Sequence, residues 1–324
     1  MELSVIIVNW NSAGYLRKCL KSIYSQTEGL ELEVVVVDNA SYDGSHEIVI
    51  QEVPGAKYIQ SEKNLGFAKA NNLGFTQSCG KFLLFLNPDT EIVGSAINIM
   101  LRHLKAIPDA GAVGCKLLNS DHTVQTTCIQ RFPTILNQIL NTDYLILRFP
   151  RFDFFGVKPL FFYRGKPEPV EVISGACLMV KREVFERVGM FGSDYFMYAD
   201  DLDLCYKIAK TGHKSYYVGD ASVIHHGGKS VGQTKVNCMN SVMKRESIKK
   251  MLARHKGRRT AFFYQVSMAA ISVPRICLLL LFMPVAKFRG GLEGIKSSLQ
   301  QWVKVLRWSL GMEAWASSPN WRQP

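Results

Sequence analysis

The eight cysteines include no C-x-x-C pair, which removes zinc-ribbon and thioredoxin-like readings. No G-x-G-x-x-G follows the first apolar run, where the chain reads NWNSAG at 9–14. A pyrophosphate therefore has no glycine-lined turn to approach, and a nicotinamide-dependent dehydrogenase is excluded. No G-x-x-x-x-G-K-[ST] occurs either, which argues against a P-loop NTPase. Internal repeats and low-complexity tracts are absent. The amino terminus, MELSVIIVNWN, lacks a basic leader ahead of a long apolar run and a cleavage site, so a cytoplasmic location with reduced, mostly buried thiols is expected.

Acidic residues are scarce, 27 against 39 Lys and Arg, giving a net charge of +12. Of that excess, +7 falls in the single segment KRESIKKMLARHKGRR at 244–259. So local a patch implies a local anionic partner. Zinc-finger, helix-turn-helix and RNP patterns are missing, and an apolar stretch follows the patch, so an anionic membrane surface is expected and nucleic acid is not. The 324 residues, 47% hydrophobic and 20% charged, suffice for one large globular domain or one domain with an appendage.

LSVIIV at 3–8 and EVVVVD at 33–38 are β-branched runs of the length of buried parallel strands. Between them Leu16, Leu20, Ile23 and Tyr24 recur at helical spacing. The alternation continues with a helix opening near Asp43, a strand near Tyr58, a helix over Phe67–Gln77 and the strand FLLFL at 82–86. This is α/β winding. Ligands of open α/β sheets lie beyond the carboxyl ends of the strands, where this chain places Asn9, Asp38 with Asn39, and Asn87-Pro88-Asp89.

Six segments in order, VVVVDNASYDGS (34–45), NLGFAKANNLG (64–74), LLFLNPDT (83–90), SGACLMVKREVFERVGMF (174–191), FMYADDLDLCYKIAKTGH (196–213) and VIHHGGKS (223–230), resemble family 2 glycosyltransferases of the GT-A fold. They are most similar to the rhamnosyltransferase-like branch that builds bacterial cell-surface polysaccharide. The resemblance implies a Rossmann-like, mostly parallel sheet flanked by helices, and a nucleotide diphosphate-sugar donor. It implies nucleotide-sugar contacts from Asn9, Asp38, Asn39, Asn64, Gly66 and Asn87, with Asp38 accepting from the imide NH of uracil or thymine. Asp38 with Asn39 and Ser41 equally suits a cap or turn, and Asp43 and Ser45 read as caps of the next helix.

Asn87-Pro88-Asp89 occupies the place of the family's D-x-D element, with Asn87 where the strict form has its first Asp. Only Asp89 then brings a full carboxylate. One carboxylate, diphosphate oxygens and waters still make an octahedral Mg²⁺ or Mn²⁺ site, although N-P-D is also an ordinary turn. In matching relatives a histidine 24 residues after the catalytic aspartate binds the metal, which selects His225 over His226 and tilts preference toward Mn²⁺. His226 is then a support or a phosphate contact. Asp200, Asp201 and Asp203 open a helix, where capping alone suits carboxylates. Asp200 and Asp203 lie about 300° apart around it and Asp201 about 100° from Asp200, so they do not share one task. The resemblance makes Asp201 the general base, with Asp200 in the place of a Glu that positions the acceptor.

The implied reaction is a single inverting displacement onto a lipid-linked saccharide, with dTDP-rhamnose as leading donor. The alternatives are another UDP- or dTDP-sugar, or a catalytically inactive GT-A protein acting as a membrane assembly partner. The expected organisation is a catalytic domain over 1–240 and a basic, apolar helical tail over 241–324. Within that tail 261–286 is apolar but for Arg275 and two prolines, and a span would carry about 2.5 to 3.5 kcal/mol for a central Arg. Ile295, Leu299, Trp302, Val303, Leu306 and Leu310 form a stripe suited to an interfacial helix, or to one docked on the catalytic domain. A peripheral or monotopic protein on the cytoplasmic face of the inner membrane is expected. Residues 131–170, dense in aromatics, suit either acceptor contacts or core packing.

Overall fold

The computed structural model describes residues 1–140, 166–227, 235–288 and 291–317. Most of the aromatic segment 131–170 and residues 228–230 of the sixth motif therefore lie outside the described residues. The chain forms two compact units, one of Met1–Phe132, Asp143–Ser193 and Asp200–Ser230, the other of Pro133–Thr142, Asp194–Ala199 and Val231–Pro324.

The first unit is built on a mixed sheet. Its strands are β1 (Leu3–Asn9), β2 (Leu32–Asp38), β3 (Lys57–Gln60), β4 (Phe82–Leu86), β5 (Thr90–Val93), β6 (Ala110–Leu118), β8 (Glu168–Val170), β10 (Cys177–Lys181) and β11 (Lys214–His225), in the order β3-β2-β1-β4-β10-β6-β11-β5 with β8 beside β11. A small second sheet pairs β7 (Ile129–Gln130) with β9 (Val172–Ile173). Strands covered on both faces need continuous apolar runs, and Val5, Ile6, Ile7 and Val34 to Val37 are indeed buried. β3, β2, β1 and β4 run parallel, whereas β10 enters antiparallel between β4 and β6, and β5 turns back antiparallel against β11.

The helices α1 (Ala13–Gln26), α2 (Ser45–Glu52), α3 (Phe67–Thr76) and α4 (Ala96–Ala106) follow these strands, and α6 (Arg182–Arg187) and α7 (Asp200–Lys210) complete the unit. Gly74 lets α3 lie close on the sheet: a Cβ there would stand 2.6 Å from Ile6 Cγ2 and 3.1 Å from Val37 Cγ2. The caps differ from expectation. Asp43 Oδ2 accepts from the Ala13 amide at 2.8 Å, so its main service is to the first turn of α1, while Oδ1 takes the Ser45 amide at 3.3 Å. The Ser45 hydroxyl turns inward to Asp38 at 2.7 Å and caps nothing.

Register fixes where polar groups gather. Asn9 pairs across from Asp38 and Asp38 from Gln60, Leu86 lies beside Ile7, Cys177 faces Leu86, and His225 faces Thr90. The carboxyl ends of β1, β2, β4 and β11 and the start of β10 thus share one edge.

The second unit is helical: α5 (Ile135–Leu140), α8 (Lys235–Lys256), α9 (Arg258–Phe288) and α10 (Leu292–Ser309), with a short turn of helix at Ala314–Ser317. Residue 240 lies inside α8. Ala261, Tyr264, Met268 and Ser272 line the buried face of α9 at helical spacing, while Phe262, Phe263, Val266, Val273, Leu278 and Leu281 are exposed. Over Arg258–Val285 this helix is long and apolar enough to cross a membrane. On α10 the expected apolar stripe is half-buried at Ile295, Leu299, Trp302 and Leu306 and exposed at Val303 and Leu310, while Val305 and Trp308 beside it are buried. The Trp308 indole N–H selects that face by donating to buried Glu246 at 2.8 Å. The basic segment is also less open than its composition suggests, since Lys250 donates to the Asp194 carbonyl, Arg254 pairs with the Asp194 carboxylate at 3.0 Å, and Lys256 reaches the Pro133 carbonyl at 3.1 Å.

Candidate active site

Asp38 ends β2 with no solvent exposure and four donors: Asn9 Nδ2 at 3.0 Å and Ser45 Oγ at 2.7 Å on Oδ2, the Ser41 amide at 2.7 Å and Gln60 Nε2 at 2.9 Å on Oδ1. These donors outweigh burial and hold its carboxyl below the usual range. It joins the ends of β1, β2 and β3. Asn39 continues the frame: its amide donates to the Asn9 carbonyl at 2.8 Å, its Nδ2 to Asn64 Oδ1 at 2.9 Å, and its Oδ1 accepts from the Leu65 amide at 2.7 Å. Asn64 Oδ1 also takes the Gly66 amide at 2.9 Å. Gly66, at φ 78°, opens α3 in a conformation that a side chain would strain. The sequence-derived set Asn9, Asp38, Asn39, Asn64 and Gly66 is therefore one connected network.

The turn after β4 carries the second group. The Thr90 hydroxyl closes it by donating to the Asn87 carbonyl at 2.8 Å. Asn87 Nδ2 and Asp89 Oδ1 each lie 3.3 Å from His225 Nε2, so a turn and a strand end far apart in sequence converge. Gln125 sets the histidine. Its Nε2 donates to the His225 carbonyl at 2.6 Å, which turns its Oε1 toward His225 Nδ1 at 2.9 Å. A proton on Nδ1 suits Gln125 Oε1, and Nε2 is then the ring atom turned toward Asn87 and Asp89, placed to bind a metal. A carboxylate oxygen and an imidazole nitrogen 3.3 Å apart suit a shared positive charge, whether a divalent cation or the imidazole's own proton. The donor set thus fits a divalent cation. Among the described residues no three His, Cys, Asp or Glu form a cage. Two protein ligands with the remaining positions open suit a cation that also holds phosphate oxygens. His226 is a support: Nε2 meets Glu91 at 2.7 Å, Nδ1 meets Ser120 at 2.8 Å, and its amide donates to the Asp89 carbonyl at 2.9 Å.

The third group opens α7. Two successive residues with positive φ, Tyr198 at 69° and Ala199 at 63°, turn the chain sharply into that helix. Asp203 is buried and paired with Lys207 at 3.0 Å. Asp200, 3% exposed, leaves Oδ1 with no partner, and burial followed by the neighbouring Asp201 and Asp203 charges pushes its pKa well above the ordinary value. Asp201 differs. It is half-buried, with Oδ2 accepting from the Gly175 amide at 3.0 Å and Oδ1 from the Leu202 amide at 2.9 Å. Beside Gly175, the Ala176 carbonyl accepts the Asn87 amide at 3.0 Å. Two consecutive residues before β10 therefore tie Asp201 to the Asn87–Asp89 turn.

Sequence reasoning missed Gln125 and Gly175. Gln125 sits in a polar stretch with no motif, and Gly175 contributes only its backbone. The near-helical spacing that separates Asp201 from Asp200 and Asp203 was the useful signal, and the structure buries the latter two while leaving the former accessible.

A protein in Mycobacterium tuberculosis described as N-acetylglucosaminyl-diphospho-decaprenol L-rhamnosyltransferase is 29% identical over 242 residues, covering 71% of this chain and 78% of its own. Rhamnosyltransferase WbbL of Escherichia coli is 23% identical over 231 residues, 68% of this chain and 82% of that one. Among solved structures, a Pyrobaculum calidifontis mannosyltransferase in complex with GDP-Man and Mn²⁺ superposes with a TM-score of 0.56 at 18% identity, covering 96% of this chain and 86% of that one. GalNAc-T7 with UDP, GalNAc and Mn²⁺ gives 0.58 at 15% identity, covering 100% and 58%. These likenesses establish the GT-A fold. Residues 4–189 match the model of glycosyl transferase family 2, and the chain belongs to that family.

Proposed function

We propose that this glycosyltransferase moves a sugar from a nucleoside diphosphate, with dTDP-rhamnose the leading donor, to a hydroxyl of a lipid-linked saccharide, with inversion at the anomeric carbon. The observation that carries the reading is the backbone bridge at Gly175 and Ala176, which ties the Asp201 carboxylate to the Asn87–Asp89–His225 cluster at one strand edge. A base and a diphosphate site must be neighbours for a direct displacement. Kinship with proteins named as rhamnosyltransferases, one of them named for a diphospho-decaprenol acceptor, supports donor and acceptor class.

Asp201 takes the proton of the acceptor hydroxyl as that oxygen bonds to C1 and the bond from C1 to the diphosphate oxygen breaks. Asp89 and His225 Nε2 would hold Mg²⁺ or Mn²⁺, which when bound supplies positive charge against the leaving diphosphate. Asp200, buried behind Asp201, fixes the first turn of α7 and so the acceptor side of the site. Asp38 suits base recognition if an imide N–H replaces Gln60, the exposed member of its four donors. The acceptor's lipid, the exposed apolar face of α9 and the cationic α8 together favour work at the cytoplasmic face of the membrane. A panel of nucleotide-sugars, read by release of nucleoside diphosphate with and without EDTA, tests this reading. Turnover of dTDP-rhamnose that stops in EDTA is expected, and full activity in excess chelator contradicts the metal assignment.

A further inference from the structure

Arg245 of α8 and Arg275 of α9 both lie over the ring of Trp302 in α10, with guanidinium carbons 5.1 and 4.3 Å from the ring centroid. Both side chains are half-buried. Arg245 donates from one terminal nitrogen to the Ser241 carbonyl at 2.9 Å, and Arg275 donates to the Ile139 carbonyl at 2.8 Å. Among the described residues neither guanidinium has a carboxylate within 4.0 Å. Arg245 Nε is fully buried and has no acceptor. Tyr264, a fully buried side chain of α9 within the field of Arg245, likewise has a hydroxyl without a partner.

Two like charges gathered, half-buried, on one aromatic ring repel, and an anion that joins them relieves the repulsion. Burial alone depresses the Arg245 pKa. Stacking on the indole offsets part of the cost, but it satisfies no N–H. The N–H fork of arginine matches phosphate oxygens, and two guanidinium charges balance a dianion better than a monoanionic phosphodiester. Arg275 is also placed on the helix whose neighbouring surface, Val273, Leu278 and Leu281, is apolar and exposed. The missing anion should therefore carry a hydrocarbon chain along that surface.

We propose that Arg245, Arg275 and Trp302 form a binding site for the diphosphate head of a lipid, whose chain lies along the exposed face of α9. The proposal rests on the reading of this chain as a transferase acting on a lipid-linked saccharide, and it adds where that lipid is held. The site is distinct from the Asp89–His225 cluster, which belongs to the donor.

The test uses the full-length protein and phosphatidylcholine vesicles carrying either farnesyl diphosphate or phosphatidylglycerol at matched surface charge, with inorganic pyrophosphate as a soluble competitor. Tighter binding to the farnesyl diphosphate vesicles is expected, and Arg245→Gln and Arg275→Gln should each weaken it by at least about tenfold. Arg275→Lys keeps the charge but not the fork and should lose most of the preference for the diphosphate lipid, which keeps the test valid if a glutamine variant misfolds. Equal binding to both vesicle types, or unchanged binding in the variants, overturns the site. Pyrophosphate binding as strong as that of the lipid overturns the lipid assignment. Because vesicle binding and nucleotide-sugar turnover are read separately, loss of turnover with intact, arginine-dependent lipid binding would count against the proposed reaction and in favour of this site.

Discussion

Asp200 and Asp201 are adjacent and chemically identical, yet their surroundings differ. Asp201 receives two backbone N–H groups and is accessible, whereas Asp200 is buried with an unpartnered oxygen. Asp201→Asn keeps shape but accepts no proton, so turnover should fall by about 10² to 10⁴ while donor affinity is nearly unchanged. Steady-state kinetics with a donor-binding titration check both halves. Asp200 makes a prediction about stability. Below the ordinary aspartate value of 3.8 the folded and unfolded chains both hold its proton. As pH rises past that value the unfolded chain ionises first, so the folded state loses relative stability until its own raised pKa is passed. Asp200→Asn lacks this loss, and its Tm should climb relative to wild type across that window; a constant difference would mean that Asp200 is not buried as described. Gln125 acts through His225. Its replacement by Ala should weaken Mn²⁺ binding by about 10- to 100-fold, measured calorimetrically.

At the level of elements, β1, β2 and β4 were legible because doubly covered strands carry near-continuous apolar runs, and VIIV at 5–8, VVVV at 34–37 and FLLFL at 82–86 supply them. The antiparallel entry of β10 was not, since CLMVK reads as apolar whichever way it runs. The Asn87–Asp89 turn and His225 were found through motif resemblance. What joins them, Gln125 and the Gly175–Ala176 backbone, lies in residue types that carry no signature. On α10 the bond from Trp308 to Glu246 fixes a second, buried face beside the apolar stripe, and because its partner belongs to another helix it is invisible in local periodicity. Gly74 supplies a test of how α3 meets the sheet. With Ile6 Cγ2 only 2.6 Å from where a new methyl carbon would sit, Gly74→Ala should cost about 1 to 3 kcal/mol in denaturant unfolding by overpacking.

For the whole molecule, one unit carries the Asp38, Asn87–Asp89–His225 and Asp201 groups and the other carries the cationic and apolar helices, a division that the proposed reaction would use for a soluble donor and a lipid-anchored acceptor. The helical unit also takes in Pro133–Thr142 and Asp194–Ala199, which lie far upstream in sequence and carry no compositional mark of it. Within the basic run, Asp194 and Pro133 take up Lys250, Arg254 and Lys256, partners that composition does not reveal. The central claim is that Asp201 removes the proton from a lipid-linked acceptor as the sugar leaves its diphosphate. Its most direct measurement is transfer of rhamnose from dTDP-rhamnose to a polyprenyl diphosphate-linked sugar, followed by NMR of the new linkage, for wild type and Asp201→Asn side by side. Inverted product from wild type and a rate lower by about 10² or more for the variant are expected; retained configuration, or a variant as fast as wild type, would contradict the account.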